Sequence, residues 1–359
     1  MAARLPISLS AALDISPSGA ECSLELPTDI AFGAVSVGGY VACVMAKYAV
    51  LYASNHPKMR GQTDIRSSVI QFYRPLFAAK SAIMKLREVS VGKLWSTLRI
   101  EIFQGNDKTA VSADIIISDF SWSGIVLQTN WHLPAPPRPV DLSKLESDTD
   151  PGWASYQTAF YPDGFRRGSA YVRAFIPKTW PSEIRYIEQW ICPGWDCYPQ
   201  GSCAFEKTED KARWTNDMIH FIMDSGLPIQ ENFFPHEPDK PLPMGSVAAT
   251  LGFAAAQKKA REEGKQNWRA LDSDGSKTMM TQTVHVTLSM STEIKKKLPQ
   301  EGVRWLYLWT ETKSIINGRM DLQVLLFDET MDLVAVTSHV AQIIPAGQKN
   351  QRSKKGPSL

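Results

Sequence analysis

The sequence has few of the features that would tie a protein to a cofactor, a metal or a nucleic acid. Its 359 residues include only five cysteines, and the Cys192, Cys197 and Cys203 group has no zinc spacing and no histidine among its members. The formal net charge is +2, with no basic block before the last residues, so the clustered cations that bind phosphates are missing. Nucleotide-binding glycine loops and Gly-x-Ser-x-Gly elbows are missing too. The sequence therefore predicts no cofactor, no metal and no nucleic-acid partner.

Long apolar runs are also missing. The longest candidate, residues 38–54, is interrupted by Lys47 and is too short to span a membrane. Sparse cysteine and the lack of a signal-peptide pattern favour a reducing compartment. The tail, 346–359, is polar and basic and is predicted to be disordered, and it ends in Pro-Ser-Leu, not in the peroxisomal Ser-Lys-Leu. We expect a cytoplasmic protein, rather than a peroxisomal one, with no membrane partner.

The same apolar segment organises the first half of the chain. Val41, Val44, Met45 and Tyr48 recur at helical spacing, and the near absence of charge predicts a helix buried on almost all sides. An alternating strand is predicted before it, at 21–27, and only strand-like runs follow, at 67–74, 82–89, 93–104 and 110–118. This order predicts an antiparallel sheet wrapped around one buried helix.

Three motifs narrow the fold. FGAVSVGGY at 32–40, VIQFYRP at 69–75 and GKLWST at 92–97 resemble the helix entry, the next strand and the following turn of the double-hotdog thioesterase-like family. That family includes bacterial type II acyl-CoA thioesterases and fungal relatives. The resemblance covers the first third of the chain well and the last quarter moderately. It implies an α+β fold in which two antiparallel sheets, each wrapped around a central helix, join into one continuous sheet.

An internal duplication supports two copies of one unit independently of the family. The strand–turn–strand pattern of 92–117 reappears at 318–344. We therefore expect an N-terminal unit at 1–130, a proline-rich linker at 131–152, and a C-terminal unit at 153–345 that carries an enlarged insertion at 192–243. Helical periodicity occurs twice in the second unit, at 211–223 and at 244–263, and the sequence does not decide which is its central helix.

The resemblance also supplies candidate site residues. Family members use an Asp at the second central helix, a Thr on the next strand and a Gln on the last strand, which correspond here to Asp224, Thr283 and, as a departure, His339. His285 shares the Thr283 face of an alternating strand and is expected to line the same cavity. Substrate is expected to meet backbone N–H groups at the helix entry, at residues Gly38, Gly39 and Tyr40.

Three functions remain open at this point. The first is hydrolysis of an acyl-CoA or carrier-bound thioester by Asp-assisted attack of water. The second is dehydration, isomerisation or cyclisation of a polyketide- or terpenoid-like substrate by an Asp/His pair, which His339 favours. The third is acyl binding without catalysis. Asp224 would then be only a turn residue, and His339 only an edge residue. Each function implies a small-molecule partner, and each is compatible with a homo-oligomer.

Overall fold

A single antiparallel sheet runs through the whole molecule. The structure is a computed structural model that describes residues 4–105, 108–197, 200–201, 211–235, 239, 241–281 and 283–346. The five strands of the first half are β1 (Glu21–Glu25), β4 (Asp64–Phe72), β5 (Ser81–Val91), β6 (Trp95–Phe103) and β7 (Thr109–Ser118), and a small hairpin, β2 (Ala31–Phe32) and β3 (Val35–Ser36), stands apart.

The second half contributes the other strands of this sheet. They are β8 (Trp153–Tyr156), β9 (Val172–Pro177), β10 (Tyr186–Pro193), β11 (Thr283–Ile294), β12 (Leu306–Glu311), β13 (Ile315–Ile316), β14 (Arg319–Phe327) and β15 (Leu333–Pro345). The order is β1-β5-β6-β7-β4-β11-β15-β14-β12-β10-β9-β8, and β13 pairs with β14. The halves meet where β4 and β11 pair, and the duplicated strands β6–β7 and β14–β15 lie at matching places on either side. The predicted double-hotdog architecture is confirmed.

The first central helix is α2 (Gly38–Asn55). It begins after the β2–β3 hairpin, and Val41, Val44, Met45 and Tyr48 are all buried in the main core, as the periodicity predicts. Lys47, the charge within the segment, reaches the surface of the helix and pairs with Asp217 at 2.6 Å. Strands β4, β6 and β7 cover this helix, so its apolar circumference is explained by the sheet that wraps it.

The second central helix is the shorter candidate. A 3₁₀ turn, Asn216–Met218, leads into α4 (Ile219–Met223), which packs against α2 in the middle of the molecule. The longer helix, α5 (Val247–Glu262), packs against β8 at the far edge of the sheet, and its solvated end explains its charged residues. Two further short helices, α1 (Leu9–Ala12) and α3 (Leu142–Glu146), complete the described α-helices.

The second half is larger than the first because β8 and β9 extend its sheet. Periodicity in the sequence does not predict β8 or β9, and β9 is buried at every position and therefore shows no alternation. Leu133 and Leu145, from the segment expected to be a linker, join an aromatic core on this part of the sheet. Cys192 and Cys197 are buried, whereas Cys203 and the tail 347–359 lie outside the described residues.

None of the helices in the part of the chain that the structure describes could cross a membrane. No helix there combines sufficient length with sufficient hydropathy. The longest described helix, α2, is covered by strands of its own half.

Candidate functional site

Asp224 lies where the two central helices meet. It follows the last residue of α4, and its Oδ2 accepts a 2.6 Å hydrogen bond from the backbone N–H of Gly39, in the first turn of α2. The contact requires glycine, because a Cβ at residue 39 would lie 2.6 Å from the Asp224 Cβ and 2.8 Å from the His220 carbonyl oxygen. The Gly-Gly entry therefore lets the end of one helix approach the beginning of the other.

Burial controls the protonation of this carboxyl. Removal from water raises the pKa of Asp224 to about 6, and the hydrogen bond from Gly39 opposes that rise. Near neutral pH most of the population carries a carboxylate whose proton affinity exceeds that of an ordinary aspartate. The side chain keeps 19% of its exposure, so a small molecule can reach it. Such a group is suited to accept a proton from water.

His339, on β15, faces the same carboxyl. Its Nδ1 lies 4.0 Å from the Asp224 Oδ1, which is too long for a hydrogen bond but lets one water molecule bond to both atoms. Burial, with a smaller contribution from His285, lowers the pKa of His339 to about 4, so the ring is neutral at pH 7. Neither ring nitrogen has a hydrogen-bond partner among the residues that the structure describes. A buried imidazole without partners is costly unless a ligand or water completes it.

Strand β11 turns its polar face toward the helices. Thr283, His285 and Thr287 are half-buried on that side, whereas Val284 and Val286 are exposed on the other. This is the reverse of the usual arrangement, in which apolar side chains face the core. A β-bulge between Thr287 and Ser289 then changes the facing, so that Met290 and Thr292 are buried farther along. The inversion gives the interior a polar wall beside β15.

His285 is a third polar group of this region, on the side of His339. It lowers the pKa of His339 by like-charge interaction, and its own pKa falls to about 4 because of burial. Its Nε2 is buried without a partner. Three polar side chains from α4, β11 and β15 thus share one region, and two of them are neutral imidazoles.

Thr283 lies beyond this group. Its hydroxyl donates a 3.1 Å hydrogen bond to the Oε1 of Glu231, not to Asp224. Glu231 belongs to a buried 3₁₀ turn, Ile229–Asn232, and sequence analysis did not select it. Its signal is weak, since it is a single carboxylate within the proline-flanked insertion.

The entry residues have different roles. Gly39 donates to Asp224, whereas the Tyr40 hydroxyl donates to the carbonyl oxygen of Ala12, and its side chain is fully buried. A Cβ at Gly38 would lie 3.4 Å from the Asp224 Oδ2, so this residue borders the carboxyl. The first N–H groups of a helix have no partner within the helix and form the positive end of its dipole. The start of α2 can therefore stabilise developing negative charge beside Asp224.

The site offers acid–base chemistry and a helix N-terminus. Among the described residues, no three His, Cys, Asp or Glu side chains gather closely enough to hold a metal ion. Asp224 can accept a proton, the two imidazoles can donate or accept hydrogen bonds, and the α2 N-terminus can polarise a carbonyl group. This combination suits addition of water to an activated acyl group or transfer of a proton next to one.

Comparison with known proteins identifies the family of the chain. Residues 85–343 match the family described as acyl-CoA thioesterase C-terminal domain, a match that spans well over half of the chain. A curated relative, the thioesterase-like protein TwmA of Talaromyces wortmannii, is 25% identical over 354 residues, which cover 93% of this chain and 91% of that protein.

Solved structures share the fold. A putative thioesterase II from Thermobifida fusca superimposes with a TM-score of 0.60 at 15% identity, covering 93% of this chain and 98% of that one. The acyl-CoA thioesterase II TesB2 of Mycobacterium marinum gives a TM-score of 0.53 at 13% identity, covering 95% and 100%. At such low identity, these likenesses establish the fold alone.

Proposed function

The chain belongs to the acyl-CoA thioesterase C-terminal domain family, and on this premise we propose that it hydrolyses an acyl thioester of CoA or of a carrier protein. One observation carries the proposal. A buried carboxyl with a pKa of about 6 is held by the first turn of a helix, and a neutral, unpartnered imidazole lies 4.0 Å away. The arrangement brings a base, an imidazole and a positive helix end together in one place.

The proposed reaction begins with a water between Asp224 and His339. Asp224 takes one proton as the water oxygen attacks the thioester carbonyl carbon, and the α2 N-terminus stabilises the negative charge on the carbonyl oxygen. When the tetrahedral intermediate collapses, the carbon–sulfur bond breaks and Asp224 returns its proton to the departing thiolate. The products are a carboxylic acid and a free thiol. His339 orients the water, and His285 supports that imidazole.

A second candidate function uses the same residues on another bond. Two neutral imidazoles beside one carboxyl can move a proton next to a carbonyl group, as dehydration, isomerisation or cyclisation of a polyketide- or terpenoid-like acyl chain requires. His339 and His285 support this candidate, because orienting one water needs fewer titratable groups than the site contains. In this case the thioester bond would survive the reaction.

The test is release of free thiol from a panel of acyl-CoA substrates by the wild type and by Asp224→Asn. The substitution keeps the shape and the hydrogen bond from Gly39 but removes the base, so we expect kcat to fall at least a hundredfold. Asp272→Asn, at a highly exposed carboxylate, is the matched control and should retain activity. Full activity of Asp224→Asn would remove the proposal.

The remaining expectations are part of the same proposal. The partner is a small acyl thioester, and the compartment that we propose is the cytoplasm. A homo-oligomer and the domain limits given by the sequence stay predictions. Acyl binding without catalysis is the outcome if no substrate in the panel is converted but acyl-CoA still binds.

A further inference from the structure

We propose that Glu231 and Thr283 form a second polar subsite, which binds a hydroxyl or keto oxygen carried by the acyl chain of the substrate. The inference rests on the proposed function, since it takes the thioester carbonyl to lie at Asp224. It names the substrate class as an oxygenated acyl chain rather than a saturated one. Glu231 and Thr283 would then be specificity residues and not part of the hydrolytic machinery.

The position of this polar subsite follows from strand β11. Thr283 and His285 are two residues apart on the strand, so their side chains point to one face about 7 Å apart. His285 interacts with His339, and His339 faces Asp224. The polar groups therefore form a row along the inner face of the sheet, with Asp224 at one end and Glu231 at the other. A chain whose carbonyl lies at Asp224 and which follows β11 passes His285 before it reaches Thr283.

Glu231 is an unusual residue for a purely structural position. It is 5% exposed, and its carboxylate accepts a hydrogen bond from the Thr283 hydroxyl at 3.1 Å. Burial raises its pKa, while that hydrogen bond and the positive charge of Arg166 oppose the rise. Arg166 itself donates to the backbone oxygen of Asp274 at 3.0 Å. Glu231 thus acquires no ion pair within the described residues, and a neutral hydroxyl is the partner it already has.

Energetics oppose a saturated chain beside this row. The Nε2 of His285 is buried without a partner, and a methylene group placed against it cannot supply one. A buried polar group left without a hydrogen bond lowers affinity, so a fully reduced chain would bind more weakly. An oxygen at the matching position supplies that hydrogen bond. The buried row therefore selects for oxygen along the chain.

The chemistry of the row also limits the oxygen's form. A carboxylate or phosphate would be repelled by Glu231, whereas a hydroxyl can donate to that carboxylate and a keto group can accept from a protonated carboxyl or from an imidazole N–H. The neutral rings of His285 and His339 fit both neutral forms. Hydroxylated or keto-bearing acyl thioesters, the products of chain extension without full reduction, satisfy these conditions.

The experiment compares three CoA thioesters of equal chain length. They are decanoyl-CoA, a hydroxydecanoyl-CoA with the hydroxyl next to the thioester end, and one with the hydroxyl near the middle of the chain. We expect the wild type to prefer the mid-chain hydroxyl. The ratio of its kcat/KM to that for decanoyl-CoA should fall about tenfold in Glu231→Gln and in Thr283→Val, because each change removes about one hydrogen bond. Glu183→Gln, at an exposed carboxylate, should leave the ratio unchanged.

Two outcomes would overturn the inference. If the wild type shows no preference for oxygen, or if the variants lose activity equally on all three thioesters, the row serves the pantetheine arm or the framework. If the wild type releases no thiol at all, the proposed function fails, and calorimetric titration with decanoic acid and the mid-chain hydroxy acid decides separately. If the wild type binds the hydroxy acid more tightly than decanoic acid and Thr283→Val loses this difference, the proposed polar subsite is supported. Equal binding of the two acids by the wild type would contradict it.

Discussion

At the scale of single residues, the side chains of the site lower the stability of the folded protein. Burial raises the pKa of Asp224 to about 6, because the fold disfavours the charged form that catalysis requires. The free energy of unfolding therefore falls as the pH rises toward 6 and the carboxyl loses its proton. The imidazole of His339 is buried, and neither of its nitrogens has a hydrogen-bond partner within the described part of the chain. Each of these features lowers stability, and together they mark a position where substrate or water is expected to complete the hydrogen bonds.

Substitution of His339 distinguishes the two candidate functions. His339→Gln restores the residue that the resembled family uses and keeps a polar group that can orient water. If hydrolysis is the reaction, thiol release should stay within about fivefold of the wild-type rate, whereas His339→Phe should lower it at least tenfold.

The alternative gives a different pattern. If the imidazole moves a proton on the acyl chain, His339→Gln should abolish product formation, which mass spectrometry of the intact acyl-CoA would detect as loss of the dehydrated or rearranged species. Thiol release by the wild type would then be absent from the outset. The two variants and the two assays together assign the role of this one ring.

Sequence alone reached some of these residues and not others. Asp224 and His339 were selected by resemblance to a family motif, and the structure places them 4.0 Å apart. Thr283 was selected on the same basis, but its hydroxyl contacts Glu231. Glu231 could not be found, because its importance depends on a contact between residues 52 positions apart, and no local pattern encodes that contact.

At the scale of elements, the approach of α4 to α2 is the contact on which the site depends. Gly39 allows that approach, and a second contact reinforces it, since the Phe221 N–H lies 3.1 Å from the Cys43 Sγ. Helices this close leave no room for a side chain at the point of contact. The short α4 therefore holds its position by packing, not by its own helical propensity.

Gly39→Ala tests this contact. The added Cβ would meet backbone atoms of α4 below 3.0 Å, so we expect a loss of at least about 2 kcal/mol in the free energy of unfolding, together with loss of activity. Gly252→Ala is the matched control, because residue 252 lies within α5 with nothing within 4 Å of the new Cβ, and it should stabilise by about 0.5–1 kcal/mol. Urea unfolding of both variants makes the measurement, and an unaffected Gly39→Ala would show that the helices do not pack this closely.

Strand β11 shows the limit of periodicity. The alternation predicts one polar and one apolar face, as the structure shows, but alternation alone does not indicate which of the two faces the interior. The polar face lies inside, which only the neighbouring Glu231, His285 and His339 explain. A pattern read without its neighbours would have placed Val284 and Val286 in the core.

At the scale of the whole molecule, one sheet joins both halves and buries three neutral histidines beneath it. His220 lies 2.8 Å from the Ser68 hydroxyl across the junction of the halves, and His285 and His339 lie in the second half. Burial lowers the pKa of each to about 4. The resulting stability is complete above the usual histidine pKa of about 6.5 and is lost as pH falls through about 4.

The molecule should therefore be acid-sensitive in a defined window. Below about pH 6.5 the free energy of unfolding should fall, and His220→Gln should reduce that slope by up to about 1.4 kcal/mol per pH unit. His132→Gln, at an exposed histidine, is the control and should keep the wild-type slope. Urea titrations across this range give the answer, and an identical slope in His220→Gln would contradict the assignment.

The overall architecture could be predicted from the sequence more fully than the elements or the site residues. The buried helix of the first half and the duplicated strands follow from periodicity, because these patterns repeat over many residues. The joining of both halves into one continuous sheet is what the family resemblance implied. The β8 and β9 extension and the position of the second central helix did not follow, since a strand buried on both faces has no alternation and a five-residue helix has little periodicity. Tertiary packing decided both.

The most direct test of the account is the pH dependence of kcat/KM for thiol release from an acyl-CoA substrate. If Asp224 is the base, activity should rise with pH around an apparent pKa near 6, because the carboxylate is the active form and burial has raised its pKa. Asp224→Asn should remove both the activity and this rising limb. A wild-type profile that shows no titration near 6, or an Asp224→Asn variant that keeps the same limb, would contradict the assignment of Asp224 as the catalytic base.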